Sequence, residues 1–391
     1  MNIKKLLYVF LIVTISIIPA ASEENIFYDL SSKEISELSF YYQNNSTFPL
    51  NEFYTQSSEY SKEYPFYTYN LALKCRRIVM KMNMNDMVYV HGTKSVINDM
   101  FDEIESKNNE IDEQLADINE NNLSFSGMEW FSLAENEIEE SRHYFSISQE
   151  HYDNGNFNDT LETLIKSNFA IYKAENLLNV AKHKNNESSK INHIQSIEGG
   201  KETASKWIQV ADEQIKILSG SGNRKDILAS SENILETAKQ HYSAERYYLA
   251  TMNAAEAKAL ADFGIDYKKV VDHEEAICSA EKQMENTNAS LSSLLGNPEI
   301  DAPIIVLHFE SAKIRLEESR IKDSTSSIPL ADISIRNALI AKEQANAIVE
   351  FKNTIETIDT SSQSEPEQIP LGLSPLIGAI AVLIMFRGKN W

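Results

Sequence analysis

The feature that most constrains the fold is a hairpin pattern that recurs about every ninety residues. In "HYDNGNFNDTLETLIKSNFAIYKAE", residues 151–175, apolar residues follow helical spacing on both sides of a short turn. Gly155 lies in that turn and can adopt a positive φ. Related stretches carry Tyr60, Tyr242 and Ser326 at the position of Tyr152, with successive spacings of 92, 90 and 84 residues. This near-regular spacing predicts one architectural unit used four times.

A heptad pattern of apolar residues follows each of the first three hairpins and predicts a third helix there. The three heptad sets are Ile97, Ile104, Ile111 and Ile118, then Ala204, Ala211 and Leu218, then Val270, Ile277, Met284 and Leu291. Asn108 is the polar member of the first set. It fixes the register of helices within the chain, which is the favoured interpretation, or it pairs with a second chain in self-association.

These patterns predict an all-α fold, an elongated array of helical hairpins and three-helix units that is solenoid-like or bundle-like. Only 12 glycines and 9 prolines interrupt a chain of 391 residues, which favours helices. The predicted parts are an aromatic-rich helical unit at 23–93, further helical units at 94–222 and 223–359, and a polar linker at 360–368. The aromatic cluster is predicted to be a packed cap, with a sugar-binding platform as the alternative.

The two ends of the chain predict its location. Residues 1–22 have a basic start, an apolar stretch and small residues before Glu23, as in a secretory signal peptide; an uncleaved anchor is the alternative. Residues 369–386 carry no charge and precede the basic residues Arg387 and Lys389 of a short cytoplasmic tail, 387–391. They predict one transmembrane helix, with the bulk of the chain outside the cytoplasm at the cell membrane. A removable sorting tail and a buried core helix are the alternatives.

The charge of the chain indicates which classes of partner it could bind, and short motifs indicate where it could be modified. The formal net charge of −22 makes nucleic-acid binding improbable and suits a solvated exterior, cation-rich surroundings or basic partners. Of the two cysteines, Cys75 and Cys278, we predict two buried thiols, with a single disulfide bridge as the alternative. Six sequons are candidate glycosylation sites: Asn44, Asn45, Asn122, Asn158, Asn186 and Asn288.

No motif predicts a catalytic residue, a cofactor site or a metal site. His273-Glu274 begins like a zinc-protease helix, but Ile277 stands where a second histidine ligand is needed. Glu140 and His143 have the spacing of a di-iron ligand pair, but no second copy occurs, so we interpret them as a solvated helix face. We therefore expect that the chain is not an enzyme.

Two resemblances extend this interpretation. The hairpin is similar to tetratricopeptide units in the spacing of Tyr152, Gly155, Phe157, Leu161 and Leu164, although Thr160 replaces the usual small alanine and the unit is longer. The whole layout resembles archaeal exported, C-terminally anchored helical surface proteins. It is similar to the helical part of membrane-anchored Lon-related proteases, without their Ser–Lys protease domain, so no catalytic residue is carried over.

The sequence thus favours a non-catalytic, membrane-anchored, extracytoplasmic helical-repeat protein that mediates protein–protein or cell-envelope interactions. Its predicted partners are the membrane, through the C-terminal helix, and proteins that the sequence does not identify. One alternative is an accessory or regulatory subunit of a surface enzyme such as a membrane protease. Another is a helical bundle that binds a small molecule or a metal.

Overall fold

The computed structural model describes residues 26–44, 50–60, 63–119, 123–187, 193–221, 224–267, 272–297, 299–322 and 324–362. Twelve α-helices account for nearly all of these residues, which confirms the predicted all-α class. In chain order they are α1 Ile26–Asn44, α2 Leu50–Tyr60, α3 Pro65–His91, α4 Thr93–Asn119, α5 Phe125–Asp153, α6 Phe157–Glu187, α7 His193–Ser221, α8 Lys225–Ser243, α9 Tyr247–Asp266, α10 His273–Leu294, α11 Pro303–Ile321 and α12 Ser324–Ser362.

The helices form four units of three, in which the last helix packs against the two before it. We call them unit 1 (α1–α3), unit 2 (α4–α6), unit 3 (α7–α9) and unit 4 (α10–α12). The first three hairpins and the helices that follow them lie where the sequence predicted, whereas the fourth hairpin was misplaced. Their grouping was wrong, because each intervening helix packs mainly on the hairpin that follows it, not on the one before. The final hairpin therefore has its third helix, α10, ahead of it.

Two of the hairpin turns have the same geometry although their sequences differ. In the α5–α6 turn, the N–H of Gly155 donates to the carbonyl of Tyr152 at 2.9 Å, and Gly155 has φ +73°. In the α8–α9 turn, the N–H of Glu245 donates to the carbonyl of Tyr242 at 3.1 Å, and Glu245 has φ +61°. The next N–H donates to the carbonyl five residues back in both places, Asn156 to His151 at 2.8 Å and Arg246 to His241 at 2.9 Å, as in a Schellman motif.

An aromatic pair braces each of these turns. The rings of Tyr152 and Phe157 meet edge to face with centroids 5.7 Å apart, and those of Tyr242 and Tyr247 do so at 5.5 Å. This confirms that the aromatic residues of the repeat are packing residues. The fourth copy was misaligned by sequence, because Ser326 lies inside the first turn of α12 and the chain reverses just before Ser324.

The heptad helix α4 is buried as its pattern predicted. Ile97 and Ile104 are fully buried, and Ile111 and Ile118 are nearly so. Asn108 accepts a hydrogen bond from the hydroxyl of Ser141 on α5 at 3.3 Å, and Ser141 in turn contacts Ser167 on α6 at 2.9 Å. The polar heptad residue therefore sets the register of three helices within one chain, which confirms the favoured interpretation.

The twelve described helices pack in an array, and some contacts join units that are not neighbours in the chain. In an open solenoid each unit contacts only its neighbours. Here α3 of unit 1 packs against α11 of unit 4, and one continuous apolar core runs from α3 to α12. Phe351 of α12 shows the closure, because its ring contacts Phe125 of unit 2 and Tyr248 of unit 3 at centroid distances of 6.4 and 6.0 Å. A Cβ added to Gly200 of unit 3 would lie 3.0 Å from the same ring.

Several sequence predictions lie outside the described residues. These are the signal peptide 1–22, the transmembrane helix 369–386 and the tail 387–391; α12 takes in residues 360–362 of the predicted linker, and the remainder is not described. Within the described ranges, no helix is long and apolar enough to cross a membrane. Both cysteines are free thiols, and Cys75 is buried as predicted. The prediction for Cys278 was wrong, because its position on α10 faces solvent.

The paired turns generate a stability prediction. Glu245→Gly is expected to raise the free energy of unfolding by roughly 0.5 to 1 kcal/mol, because a left-handed residue with a Cβ is strained, whereas glycine is not. Gly155→Ala is expected to lower it by a similar amount. Urea unfolding followed by circular dichroism measures both variants. A decrease for Glu245→Gly would contradict the equivalence of the two turns.

Candidate functional site

The most unusual ionisable group in the described structure is Glu129 of α5, which is fully buried. Its carboxyl group accepts hydrogen bonds from the backbone N–H groups of Asp301, at 2.9 Å, and Ala302, at 3.2 Å. The hydroxyl of Tyr248 on α9 donates to it at 3.4 Å. Burial, and then the charge of Asp301, raises the pKa of Glu129 well above its ordinary value. Glu129 thus joins units 2, 3 and 4.

Asp301 lies beside Glu129 in a different environment. Its carboxylate accepts hydrogen bonds from the indole N–H of Trp130, at 2.7 Å, and from the hydroxyl of Ser126. It also forms an ion pair with the ammonium group of Lys184 at 3.1 Å. One acid of the pair is therefore held by neutral donors in the interior, whereas the other is half-exposed and paired with a cation.

Glu310 of α11 has the same role at the start of α3. Its carboxylate accepts from the backbone N–H of Tyr67 at 2.7 Å, and the N–H of Phe66 also bonds to it. Burial raises the pKa of Glu310 to about 8. The hydroxyl of Tyr64 donates to Glu317 at 2.8 Å, two turns further along α11, so that unit 1 is joined to unit 4 by two polar contacts.

The two helices whose starts are bound by these carboxyl groups both lack a side-chain N-cap of their own. α3 and α11 both begin with proline, and neither Tyr64 nor Ala302, the residues before them, caps its helix with a side chain. A helix leaves its first N–H groups without partners, and a side-chain oxygen at the start normally accepts one of them. Here Glu310 supplies that oxygen to the first turn of α3, at Phe66 and Tyr67. Glu129 instead binds the N–H groups of the two residues directly before the proline of α11, Asp301 and Ala302. Both carboxyl groups come from other units. We call these two residues the capping glutamates.

Perturbed pKa values and backbone strain are frequent at active sites, and both occur here: Ala302 has φ +48°. The geometry gives them a structural use. The oxygens of the capping glutamates are directed at backbone N–H groups of this chain, and Asp301 is held by a ring N–H, a hydroxyl and an ammonium group. These hydrogen bonds and this ion pair fix the positions of the helices.

A third polar junction joins units 1 and 2. Glu34 of α1 is almost fully buried and pairs with the guanidinium of Arg76 on α3 at 3.1 Å. The hydroxyl of Tyr172 on α6 donates to the same carboxylate, and the Arg76 guanidinium lies 5.2 Å from the centre of the Tyr172 ring. Every one of the four units is therefore tied to another by a buried carboxyl group.

The structure separates the residues that the sequence singled out. His273 is half-buried at the start of α10, and Glu140 and His143 are both exposed on α5, as interpreted from the sequence. Among the described residues, no group of three or more histidine, cysteine or acidic side chains could hold a metal ion.

The sequons also differ in position. Asn158 is exposed in the first turn of α6, and Asn288 is half-buried within α10. Asn44 and Asn186 lie near the ends of α1 and α6, with side chains outside the described set, and Asn45 and Asn122 lie outside the described residues. Their glycosylation stays a prediction.

Sequence reasoning missed both capping glutamates. A signal existed, because Glu129 is the one charged residue in "FSGMEWFSLA", 125–134, and Glu310 ends the apolar run "PIIVLHFE", 303–310. A lone acid in an apolar helix stretch indicates burial with a specific partner. The partner itself could not be found this way, since it is a backbone N–H more than 170 residues distant in one case and more than 240 in the other.

In contrast to these buried polar sites, the tip between α3 and α4 exposes several large apolar side chains to solvent. We define the hairpin tip as residues 87–94. Met87, Tyr89 and Val90 are 43%, 91% and 69% exposed, and Gly92 has no atom within 4 Å of a Cβ built onto it. Isolated exposed apolar residues are ordinary, whereas three within four positions set this tip apart from the other described turns.

Comparison of the chain with protein-family models, with curated proteins and with solved structures gives no match. The fold and the site are therefore interpreted from their own geometry.

Removing Glu129 tests its capping role. Glu129→Ala is expected to lower the free energy of unfolding by about 3 kcal/mol, because it leaves buried N–H groups unpaired and opens a cavity. Glu129→Gln keeps a carbonyl acceptor and should cost much less. Glu150→Ala, on the exposed face of the same helix, is the control and should change the value by about 0.5 kcal/mol or less. Equal losses for the alanine and glutamine variants would contradict the capping role.

The pKa of Glu310 predicts a pH dependence. Because its pKa is raised in the folded state, the protein gains stability from this group below its ordinary pKa and loses it as pH rises to about 8. Burial likewise raises the pKa of Glu135 to about 7, with the same sign. The thermal midpoint is expected to fall between about pH 5 and about pH 9, and to fall less in Glu310→Gln. An identical slope in the variant would show that Glu310 does not titrate in this range.

Proposed function

We propose that this chain is a non-catalytic, membrane-anchored, extracytoplasmic helical-repeat protein that holds other proteins or envelope material on its exterior. The observation that carries the proposal is the use made of its buried carboxyl groups. Glu129, Glu310 and Glu34 are buried, and each is engaged with this chain's own N–H, hydroxyl or guanidinium groups. These carboxyl groups therefore hold helices together.

The exterior supports a binding role. The apolar positions of the repeats are buried in one core, so that long helix faces are left to carry charged residues. With 58 acidic against 36 basic residues, the exterior repels other acidic surfaces and attracts basic or cation-rich ones. A rigid body with an extended acidic surface suits the presentation of contact sites at fixed positions.

Membrane attachment is the part of the proposal that rests on sequence. The uncharged stretch 369–386 and the basic residues after it would hold the chain in a bilayer, with the twelve helices on the outer side. The signal-peptide pattern of 1–22 agrees with that orientation.

Truncation before Ile369 tests this arrangement. The full chain is expected in the membrane fraction after washing at high salt, and the truncated chain in the soluble fraction with an unchanged helical circular-dichroism spectrum. The stretch from Ile369 is then the anchor. A truncated chain that stays with the membranes, or a full chain that washes off, would contradict the proposal.

Cross-linking in intact membranes identifies what the exterior holds. Recovery of envelope or surface-layer material supports the scaffold role. Recovery of a protease as the main partner would favour an accessory subunit of a surface enzyme. Turnover of a substrate by the purified full chain alone would overturn the non-catalytic proposal.

A further inference from the structure

The hairpin tip differs from the other turns of the molecule in what it exposes. In the described part of the chain, seven large apolar side chains are substantially exposed, and three of them lie at the tip; the others, Tyr28, Ile217, Ile321 and Val349, are scattered singly. Only a few residues below the tip, Val96 and Ile97 are fully buried. The molecule thus buries the base of this hairpin and leaves its end uncovered.

The tip is convex. Both the last turn of α3 and the first residues of α4 are exposed, and the space around Gly92 is open. Below the tip, the hydroxyl of Tyr152 donates to Asn98 at 3.3 Å. The last residue of the tip, Lys94, has its ammonium group 5.2 Å from the centre of the Phe157 ring. A projecting end of this kind can insert into a membrane surface more readily than it can enclose a ligand.

The charge of the tip is also unlike that of the rest of the chain. No acidic residue occurs between Asp86 and Asp99, whereas the shorter α5–α6 turn lies between Asp153 and Asp159. The tip carries His91 and Lys94 instead. In a chain of net charge −22, most of the surface is repelled by anionic lipid headgroups, and an acid-free segment with a lysine is the part that can approach them.

The side chains have the composition of a membrane interface. Tyrosine places its ring among the headgroups and its hydroxyl in water, and lysine extends its ammonium group outward from an apolar stem. Tyr89 is the most exposed of the large apolar residues, with methionine and valine on either side. Three side chains bind weakly alone, but a chain already anchored in a bilayer meets it at high effective concentration.

We propose that the hairpin tip, 87–94, docks into the headgroup region of the same phospholipid bilayer that holds the C-terminal stretch 369–386. The inference rests on the proposed function, because the anchor supplies the bilayer. It adds a second contact with the membrane, so that the helical body is oriented relative to the surface by two points instead of one.

A tryptophan at the tip reports its depth. The full chain with Tyr89→Trp, in a Trp391→Phe background, is reconstituted into phosphatidylcholine and phosphatidylglycerol vesicles with and without dibrominated acyl chains. Ile321→Trp in the same background is the matched control, since Ile321 is a single apolar residue 83% exposed beside the basic Lys322. Trp130 and Trp207 are buried and add a constant background.

We expect several-fold stronger quenching of Tyr89→Trp than of Ile321→Trp when the brominated lipid is in the vesicle that carries the protein. Equal quenching of the two variants overturns the inference. Quenching that appears only when the brominated lipid is in added, protein-free vesicles also overturns it, because the tip then contacts a facing membrane. Failure of the full chain to float with the vesicles is the failure of the proposed anchor, and is measured before any fluorescence.

Discussion

A helix that starts with proline after a residue without a capping side chain leaves its next amide N–H groups without acceptors. α3 and α11 both start in this way, and both starts are buried by other parts of the chain, where water is a poor substitute. The buried carboxyl group of Glu310 accepts those hydrogen bonds at the start of α3. Glu129 holds the start of α11 through the N–H groups of Asp301 and Ala302, which directly precede its proline. The relative positions of the units follow from this requirement.

The two caps form a series. Glu129 of unit 2 caps the start of α11 in unit 4, and Glu310 of α11 caps the start of α3 in unit 1. Apolar contact is roughly proportional to area and permits sliding, whereas a carboxyl group aimed at two N–H groups permits one position. The cost is the burial of acids, which is visible in their raised pKa values. In return, the units are held in one specific arrangement.

The sequence predicted what depends on local pattern. Heptad spacing located α4 and its buried isoleucines, and Gly155 located a turn with positive φ. The grouping of helices into units was mispredicted, because the apolar face of α7 fits a hairpin on either side of it and only tertiary packing decides. Glu245 shows the same limit, since its left-handed backbone is imposed by the hairpin and not by its own preference.

Contacts between residues that are far apart in the chain could not be predicted from local sequence patterns. The closure of unit 1 on unit 4 depends on Tyr64 and Glu317, which are 253 positions apart. Nothing in either neighbourhood identifies the other. The exposure of Tyr89 was not predicted either, because a tyrosine between valines is as typical of a buried helix as of an uncovered one.

Phe351, where units 2, 3 and 4 meet, has a consequence for biosynthesis. A ribosome makes the chain from its N-terminus, so the surfaces around Phe125, Tyr248 and Gly200 exist before the side chain that fills the space between them. The chain must be completed as far as Phe351 before this joint can form. Until then the earlier helices expose the apolar surface that Phe351 later covers, and exposed apolar surface of this kind is what chaperones bind.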